Sequence, residues 1–233
     1  MEFGEIIAPS IHQLFVSRIE GMILSGKLQP GEKLPTEREL AAEMKISKTV
    51  VHEGLRELAR LGFLDVTSRK GVVVADYART GNLETLVAIS KYNAGRVDRR
   101  TAKGILDLRV YLEAPILKQL AACHTDEDIA LLREKQQCVR AAMNGDVRTL
   151  CLAVFDYHRT MIVLSGNTII PLIYNAFIEI STVFWTDYIS LVGAETLAER
   201  LEFFTECIRT GEGERAAKIL EEELEAYTEH YEK

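Results

Sequence analysis

Residues 36–58 read TERELAAEMKISKTVVHEGLREL and contain two short amphipathic segments separated by a tight connection. Thr36 and Glu39 have the spacing of a capping box, in which each residue satisfies a backbone N–H of the other at the start of a helix. Ser47 can cap the next helix, which is predicted to cover residues 48–61. Two helices this closely spaced predict a helix-turn-helix.

The flanking sequence completes a winged form of this motif. Upstream, apolar residues recur at helical spacing from Ile11 to Ile23, so an amphipathic helix with one buried face is expected to end at Gly26. Downstream, the β-prone runs 63–66 and 72–74 enclose a polar loop that contains glycine. This pattern predicts a hairpin, the wing.

Beyond about Tyr77 the sequence shows only helical periodicity, broken by glycines, and it predicts six or seven further helices. The expected fold class is therefore mainly α, with an N-terminal winged helix-turn-helix (three helices plus a small β-hairpin) followed by an all-α helical-bundle domain. We place the DNA-binding domain at residues 1–77 and the helical domain at residues 78–233.

Composition limits the possible functions and partners. The 233 residues carry a net charge of −7, which argues against nonspecific coating of nucleic acid but leaves a sequence-specific reader open. The acidic N-terminus lacks the features of a secretory signal, and the uncharged stretch 160–178 is interrupted by helix-ending residues. We therefore expect a cytoplasmic protein without a membrane partner. The cysteines show no CxxC spacing and are interpreted as reduced, buried thiols.

One face of the third helix carries the residues best suited to reading DNA. Lys48, Thr49 and His52 project away from the buried face and are free to enter a major groove. Lysine can contact phosphate or a guanine edge, and the hydroxyls and the imidazole can reach phosphates or base edges. Each residue alone could be an ordinary exposed polar side chain. The full predicted DNA-binding set is Arg38, Ser47, Lys48, Thr49, His52, Arg69 and Lys70.

These stretches resemble the DNA-binding domain of the GntR family of transcriptional regulators, over roughly residues 8–76. The helical remainder resembles the FadR/FCD subfamily. The resemblance is carried by residues 30–41, 46–58 and 61–64 in the first part and by residues 107–113 and 165–167 in the second.

The resemblance implies a homodimer that binds a palindromic operator on double-stranded DNA, with spacing of the two winged motifs set by a small-molecule effector. It also implies that the residues of the predicted set other than Ser47 stand at positions where family members contact DNA. One position departs from the family, which usually has arginine where this chain has His52. Neutral histidine lacks the bidentate fork of arginine, so the operator sequence cannot be taken from relatives.

The helical half contains candidate pocket residues, with aromatic side chains for the walls and a few polar groups to orient a ligand. Arg109 needs a partner if it is buried, either a ligand anion or an internal carboxylate such as Glu113 or Asp107. The aromatic residues could equally belong to the core. The effector is left open between an acyl-coenzyme A and a small organic acid. The predicted effector-binding set is Arg109, Tyr157, His158, Asn167, Trp185 and Tyr188.

A metal site is not expected, although many regulators that resemble this one hold a divalent ion. Those proteins pair an aspartate with a histidine four residues later, but Val154 stands four residues before His158 and Asp156 points to a different helix face. The resemblance places further histidine ligands near Leu201 and Glu223, where the chain has none. We expect no metal and no cofactor; the alternative is a regulator that senses a carboxylate through a divalent ion.

No motif in the sequence suggests catalysis. A nucleophile with its base, a phosphate-cradling glycine loop and a metal triad are all missing at the level of motifs. We therefore expect a regulator and not an enzyme. An adaptor whose winged domain binds another protein is a further alternative, which steep salt dependence of DNA binding would argue against.

Overall fold

The computed structural model describes residues 9–67, 71–92 and 99–230. The chain divides into two compact units, residues 1–92 and 93–233. The first unit contains the winged helix-turn-helix and the second contains only helices among its described residues. The predicted fold class is confirmed.

The first unit begins with the three helices and the hairpin that the sequence predicts. The two strands pair antiparallel, with Leu64 opposite Val74. The elements are α1 (Ile11–Leu24), α2 (Glu37–Met44), α3 (Lys48–Arg60), β1 (Leu64–Thr67) and β2 (Gly71–Val74).

Side-chain caps determine where α2 and α3 begin. The Thr36 N–H donates to the Glu39 carboxylate at 2.8 Å, and the Glu39 N–H donates to Thr36 Oγ1 at 3.3 Å. The Ser47 Oγ accepts from the Val50 N–H at 3.2 Å. Between the helices, Lys45 takes a left-handed conformation with φ of 54°, which reverses the chain within a few residues. The predicted capping box and cap are both present.

The first unit packs around one apolar cluster, to which the helices and the hairpin contribute. Two further helices, α4 (Tyr77–Thr80) and α5 (Leu83–Tyr92), also belong to the first unit. Thr85 Oγ1 in α5 donates to the Leu61 carbonyl at 2.6 Å. The boundary between compact units therefore follows residue 92, later than the predicted domain boundary. Members of the cluster include Phe15, Ile19, Val51, Leu55, Leu58 and Phe63.

The second unit is a bundle in which α6 packs along α12, α7 along α8 and α11, and α8 along α10. Described residues beyond 76 hold nine helices and not six or seven, because helices as short as α4 and α9 show no periodicity in the sequence. The elements are α6 (Arg99–Cys123), α7 (Asp126–Ala142), α8 (Val147–Leu164), α9 (Ile170–Asn175), α10 (Ile178–Val192), α11 (Ala194–Thr210) and α12 (Gly213–His230).

A glycine allows α12 to approach α6 closely. A Cβ added to Gly213 would lie 2.6 Å from the Lys118 Cα and 2.8 Å from the Ala121 Cβ. Only glycine leaves room for this backbone approach. Among the described residues, no helix is long and apolar enough to cross a membrane.

Candidate DNA-reading surface and effector cavity

Helix α3 separates an apolar face from a polar one. Val51 and Leu55 are buried in the core of the first unit, whereas the side chains of Lys48 and His52 are 71% and 53% exposed. Thr49 is exposed as well. The structure thus brings these three predicted residues together on one accessible surface, anchored from behind by the core.

Glu37, at the start of α2, adds a carboxylate to this surface that sequence reasoning missed. Its Oε1 lies 2.8 Å from His52 Nδ1, and its Oε2 lies 4.0 Å from Lys48 Nζ. A carboxylate beside an imidazole fixes the ring orientation. The sequence contained a signal for this contact. Glu37 is the first residue of α2, and the short connection between α2 and α3 holds the two helices close together.

The other predicted DNA-binding residues have different positions. Arg38 is exposed on α2. Ser47 caps α3 by accepting the Val50 N–H, which leaves its own hydroxyl proton available to donate. Arg69 and Lys70 lie outside the described residues.

In the second unit, helices α6, α8, α10, α11 and α12 surround a mostly apolar cavity. Its free space is about 30 Å³. Its walls include Ile105, Phe184, Leu197 and Leu201. The polar groups that line it are Arg109, His158, Ser181, Tyr188, Arg200, Glu223 and Tyr227.

A buried ionic cluster forms one side of the cavity. Arg109 donates from Nε and Nη2 to the two carboxylate oxygens of Glu113, at 2.8 and 3.0 Å. The Glu113 side chain is 0% exposed, and His158 Nδ1 lies 3.0 Å from its Oε2. Burial raises the pKa of Glu113, but the charge of Arg109 and the contact with His158 outweigh it and bring that pKa to about 2. Glu113 is therefore the internal partner of Arg109, whereas Asp107 pairs with Lys103.

Trp185 lies against this cluster. The indole stacks on the His158 ring at 5.2 Å between centroids, and the Arg109 guanidinium lies 4.5 Å from the centre of the indole ring. Tyr188 packs edge-on against Trp185 at 5.9 Å. Burial lowers the pKa of His158, more than the Glu113 carboxylate raises it, so the imidazole is neutral at pH 7. The predicted residues Arg109, His158, Trp185 and Tyr188 are therefore brought together at the cavity.

A second ion pair lies across the cavity. Arg200 Nη2 on α11 contacts Glu223 Oε1 on α12 at 2.5 Å. Arg200 Nε and His158 Nε2 are buried without a hydrogen-bond partner, whereas His158 Nδ1 has the Glu113 carboxylate beside it. Buried polar groups are normally paired, so Arg200 Nε and His158 Nε2 mark where a ligand could bind.

Two predicted effector-binding residues do not reach the cavity. Tyr157 is fully buried on another side of α8, where its hydroxyl donates to the Leu201 carbonyl at 3.0 Å and lies 2.8 Å from Thr205 Oγ1. Asn167 is exposed, and its Oδ1 accepts the N–H groups of residues 169 and 170 at the start of α9. Neighbours along a helix point to different sides, which separates Tyr157 from His158.

Sequence reasoning missed Arg200, Glu223 and Ser181 as cavity residues. The sequence contained a signal for the first two, because each charged residue interrupts a row of apolar residues at helical spacing. Arg200 stands among Leu197, Leu201 and Phe204, and Glu223 stands among Leu220, Leu224 and Tyr227. A charge placed against the apolar stripe of a helix often lies at a pocket rim or in an internal pair. Ser181 carries no comparable signal.

Metal ligands are not clustered in the part of the chain that the structure describes. No group of three or more histidine, cysteine, aspartate or glutamate side chains there could hold an ion together. Near Leu201 and Glu223, where the resemblance places histidines, the cavity has the Arg200–Glu223 pair. A guanidinium supplies positive charge at this location.

A winged helix-turn-helix with an exposed polar helix face, together with a helical unit that encloses a polar-lined cavity, defines the class of ligand-responsive DNA-binding regulators. Residues 15–74 match the sequence model described as bacterial regulatory proteins, gntR family. Residues 104–226 match the FCD domain. The chain belongs to the GntR family of transcriptional regulators, in the group that carries an FCD effector-binding domain.

Several individual proteins are similar to the chain. The transcriptional regulator Mce2R of Mycobacterium tuberculosis is 28% identical over 76% of this chain and 72% of its own length. The transcriptional repressor NanR of Salmonella newport is 25% identical over 72% of this chain and 64% of its own length. The chain is also similar to a solved structure of Lar, which controls the agr system of Listeria monocytogenes. The match covers 97% of this chain and 98% of the Lar chain at 16% sequence identity, with a TM-score of 0.66. This last likeness supports the fold alone.

Proposed function

We propose that the protein is a sequence-specific transcriptional regulator that binds operator DNA as a homodimer and changes its DNA binding when a small organic acid occupies the helical unit. The observation that carries the DNA-binding part is the exposed polar face of α3, opposite the buried Val51 and Leu55. The names of the relatives agree with a regulatory and not a catalytic role.

The residues proposed to bind DNA divide by chemistry. Lys48 and Arg38 supply charge for phosphates, and Thr49 and Ser47 supply hydroxyl donors. His52 supplies one ring nitrogen for a base edge, since the other faces Glu37. The wing residues Arg69 and Lys70 belong to the proposal on the basis of the sequence alone.

Dimerisation is proposed on energetic grounds. One short helix and one hairpin cover few base pairs and bury too little surface for tight, specific binding. Two copies related by a two-fold axis double the contacts and read a palindrome, with half-sites about one helical turn apart or a multiple of it.

The cavity favours a compact effector over an acyl-coenzyme A. Its free space of about 30 Å³ among the side chains of five helices is about the volume of one water molecule, so any effector must displace side chains, and a compact acid requires less displacement than a long acyl chain. The unpartnered Arg200 Nε is a donor suited to an anionic oxygen, whereas His158 Nε2 is an acceptor, because the proton of the neutral ring lies on Nδ1, which faces Glu113. A small organic acid that also carries a hydroxyl group can satisfy both atoms while its remainder contacts the apolar walls.

The DNA-binding part is tested by selecting operator sequences from host genomic fragments with the full chain, followed by fluorescence anisotropy at several salt concentrations. We expect binding to a palindromic fragment that is at least about a thousand times tighter than binding to random DNA. Gel filtration and light scattering of the complex should give two chains per operator. Equal affinity for the selected and random fragments would contradict the proposal.

A further inference from the structure

The two arginines of the cavity differ in how their donors are used. In Arg109, both Nε and Nη2 donate to Glu113, so this pair of donors on one edge of the guanidinium is not available to a ligand. In Arg200, Nη2 contacts Glu223 at 2.5 Å, but the adjacent Nε is buried without a partner. The same pair of donors is therefore saturated in one residue and half used in the other.

The fork formed by Nε and Nη2 matches the two oxygens of a carboxylate. A buried donor that lacks an acceptor is destabilising relative to a paired one. A carboxylate placed side-on against Arg200 would remove this cost, whereas one placed against Arg109 would first have to break the hydrogen bonds to Glu113. Arg200 is accordingly the better anion-binding residue, although the sequence pointed to Arg109.

The two glutamates also differ. Glu113 is 0% exposed and contacts both Arg109 and His158, so it has no route to solvent. Glu223 is 23% exposed and pairs only with Arg200 among the described residues. Burial raises the pKa of Glu223 more than the positive charge of Arg200 lowers it, which shows that the carboxylate is incompletely solvated in this position. Its release to water is therefore easier than that of Glu113.

We propose that Arg200 binds the carboxylate of the effector through Nε and Nη2, and that Glu223 is an internal competitor that the effector displaces. The inference rests on the proposed function, because it takes the cavity to be the effector site. The exchange replaces one carboxylate on the guanidinium by another, and the freed Glu223 side chain turns toward solvent. No proton transfer or covalent step is needed.

The exchange gives the effector a mechanical consequence within the helical unit. Arg200 lies on α11 and Glu223 on α12, so displacement removes an ion pair that joins these helices. On α12, the Tyr227 hydroxyl still donates to the Phe184 carbonyl at 3.1 Å, which keeps the helix tied to α10. Effector binding thus loosens one attachment of α12 and leaves another in place.

The test uses the single tryptophan of the chain, Trp185, which lies in the cavity wall and reports occupancy by its fluorescence. The 233-residue chain is titrated with acetate, lactate, succinate, citrate and benzoate, and calorimetry confirms each response. Glu223→Gln removes the competitor and is expected to tighten binding of the preferred acid about tenfold, or about 1.4 kcal/mol. Glu221→Gln makes the same charge change on the exposed side of α12 and should leave affinity unchanged.

Arg200→Lys keeps the positive charge but loses the fork, and we expect it to weaken binding at least about tenfold. Unchanged affinity in Arg200→Lys, or no tightening in Glu223→Gln, overturns the inference while leaving the proposed function in place. If none of the acids binds either the wild type or Glu223→Gln, the organic-acid part of the proposed function falls together with the inference. Melting temperatures of all variants show whether each is folded.

Discussion

Gly54, in the middle of α3, lies directly against the ring of Phe15 in α1: an added Cβ would stand 2.3 Å from Phe15 Cδ1. Phe15 is buried in the core and cannot move aside cheaply. Gly54→Ala should therefore destabilise the first unit by about 1 to 3 kcal/mol, even though alanine is the better helix former by about 1 kcal/mol. Thermal unfolding of the full chain measures the effect.

Gly104 in α6 is the matched control for that substitution, because a Cβ there meets no atom within 4 Å. Gly104→Ala should leave stability unchanged or raise it by up to about 1 kcal/mol. Stabilisation by both alanines would show that α1 and α3 do not pack as described.

The ionised state of Glu113 makes stability depend on pH. Its pKa is about 2 in the folded chain, compared with 4.5 for a free side chain. The group therefore stabilises the fold fully above about pH 4.5, and this contribution of roughly 3 kcal/mol is lost as pH falls toward 2. Chemical unfolding at several pH values should show the decline in the wild type.

Glu113→Gln removes the charge that balances Arg109 and should cost about 3 to 5 kcal/mol at pH 7. It should also flatten the decline in stability on the acid side. Asp107→Asn, which alters an exposed ion pair with Lys103, should cost less than about 1 kcal/mol. Equal losses in the two variants would mean that the Glu113 cluster is not buried.

For DNA binding, Lys48→Ala should weaken affinity for specific and random DNA by a similar factor, because the contact proposed for Lys48 is to phosphate. It should lower the slope of log affinity against log salt by about one. Lys27→Ala, at an exposed residue after α1, is the charge-matched control. A slope that does not change in Lys48→Ala would place this side chain away from the DNA backbone.

His52→Ala should act on sequence preference more than on salt dependence. With Nδ1 held by Glu37, the other ring nitrogen is the group that can meet a base edge. We expect discrimination at one base pair of each half-site to fall by about 1 to 3 kcal/mol. Repeating the operator selection with the variant reveals which position is relaxed, and an unchanged consensus would argue against base contact by His52.

A chelator should leave the melting temperature unchanged. A bound ion stabilises the folded state by an amount that grows with the logarithm of its affinity, so its removal would lower that temperature. Incubation with EDTA followed by thermal unfolding distinguishes the regulator proposed above from one that senses a carboxylate through a divalent ion. A fall of several degrees that is reversed by one metal would favour the latter.

The first unit was predictable from the sequence because its folding signals are local. Thr36, Glu39 and Ser47 mark helix starts within three residues, and the spacing of Val51, Leu55 and Leu58 defines the buried face of α3. Short helices such as α4 and α9 were not resolved, since so few residues cannot show a period.

The cavity was only partly predictable because it depends on contacts between distant helices. Arg109, His158, Trp185 and Tyr188 could be proposed from their chemistry, and the i,i+4 spacing of Arg109 and Glu113 favours that pair over Asp107, but the burial of the pair and its contact with His158 depend on the packing. Tyr157 is next to His158 in sequence, yet it faces Thr205 on α11. Which residues meet across five helices is decided by helix rotation, and the pattern of one helix does not contain that information.

The Arg109–Glu113 pair is fully buried, whereas the Arg200–Glu223 pair is proposed to exchange with the effector. This difference affects how the ligand preference of the helical unit can change. Because the positive charge of Arg200 already has Glu223 as its counterion, the pocket carries no unbalanced charge from this residue and tolerates changes in its apolar lining. Substitutions at Leu197 or Ser181 can then alter the shape that is accepted without creating an isolated charge. Ligand preference is thereby separated from the stability of the bundle.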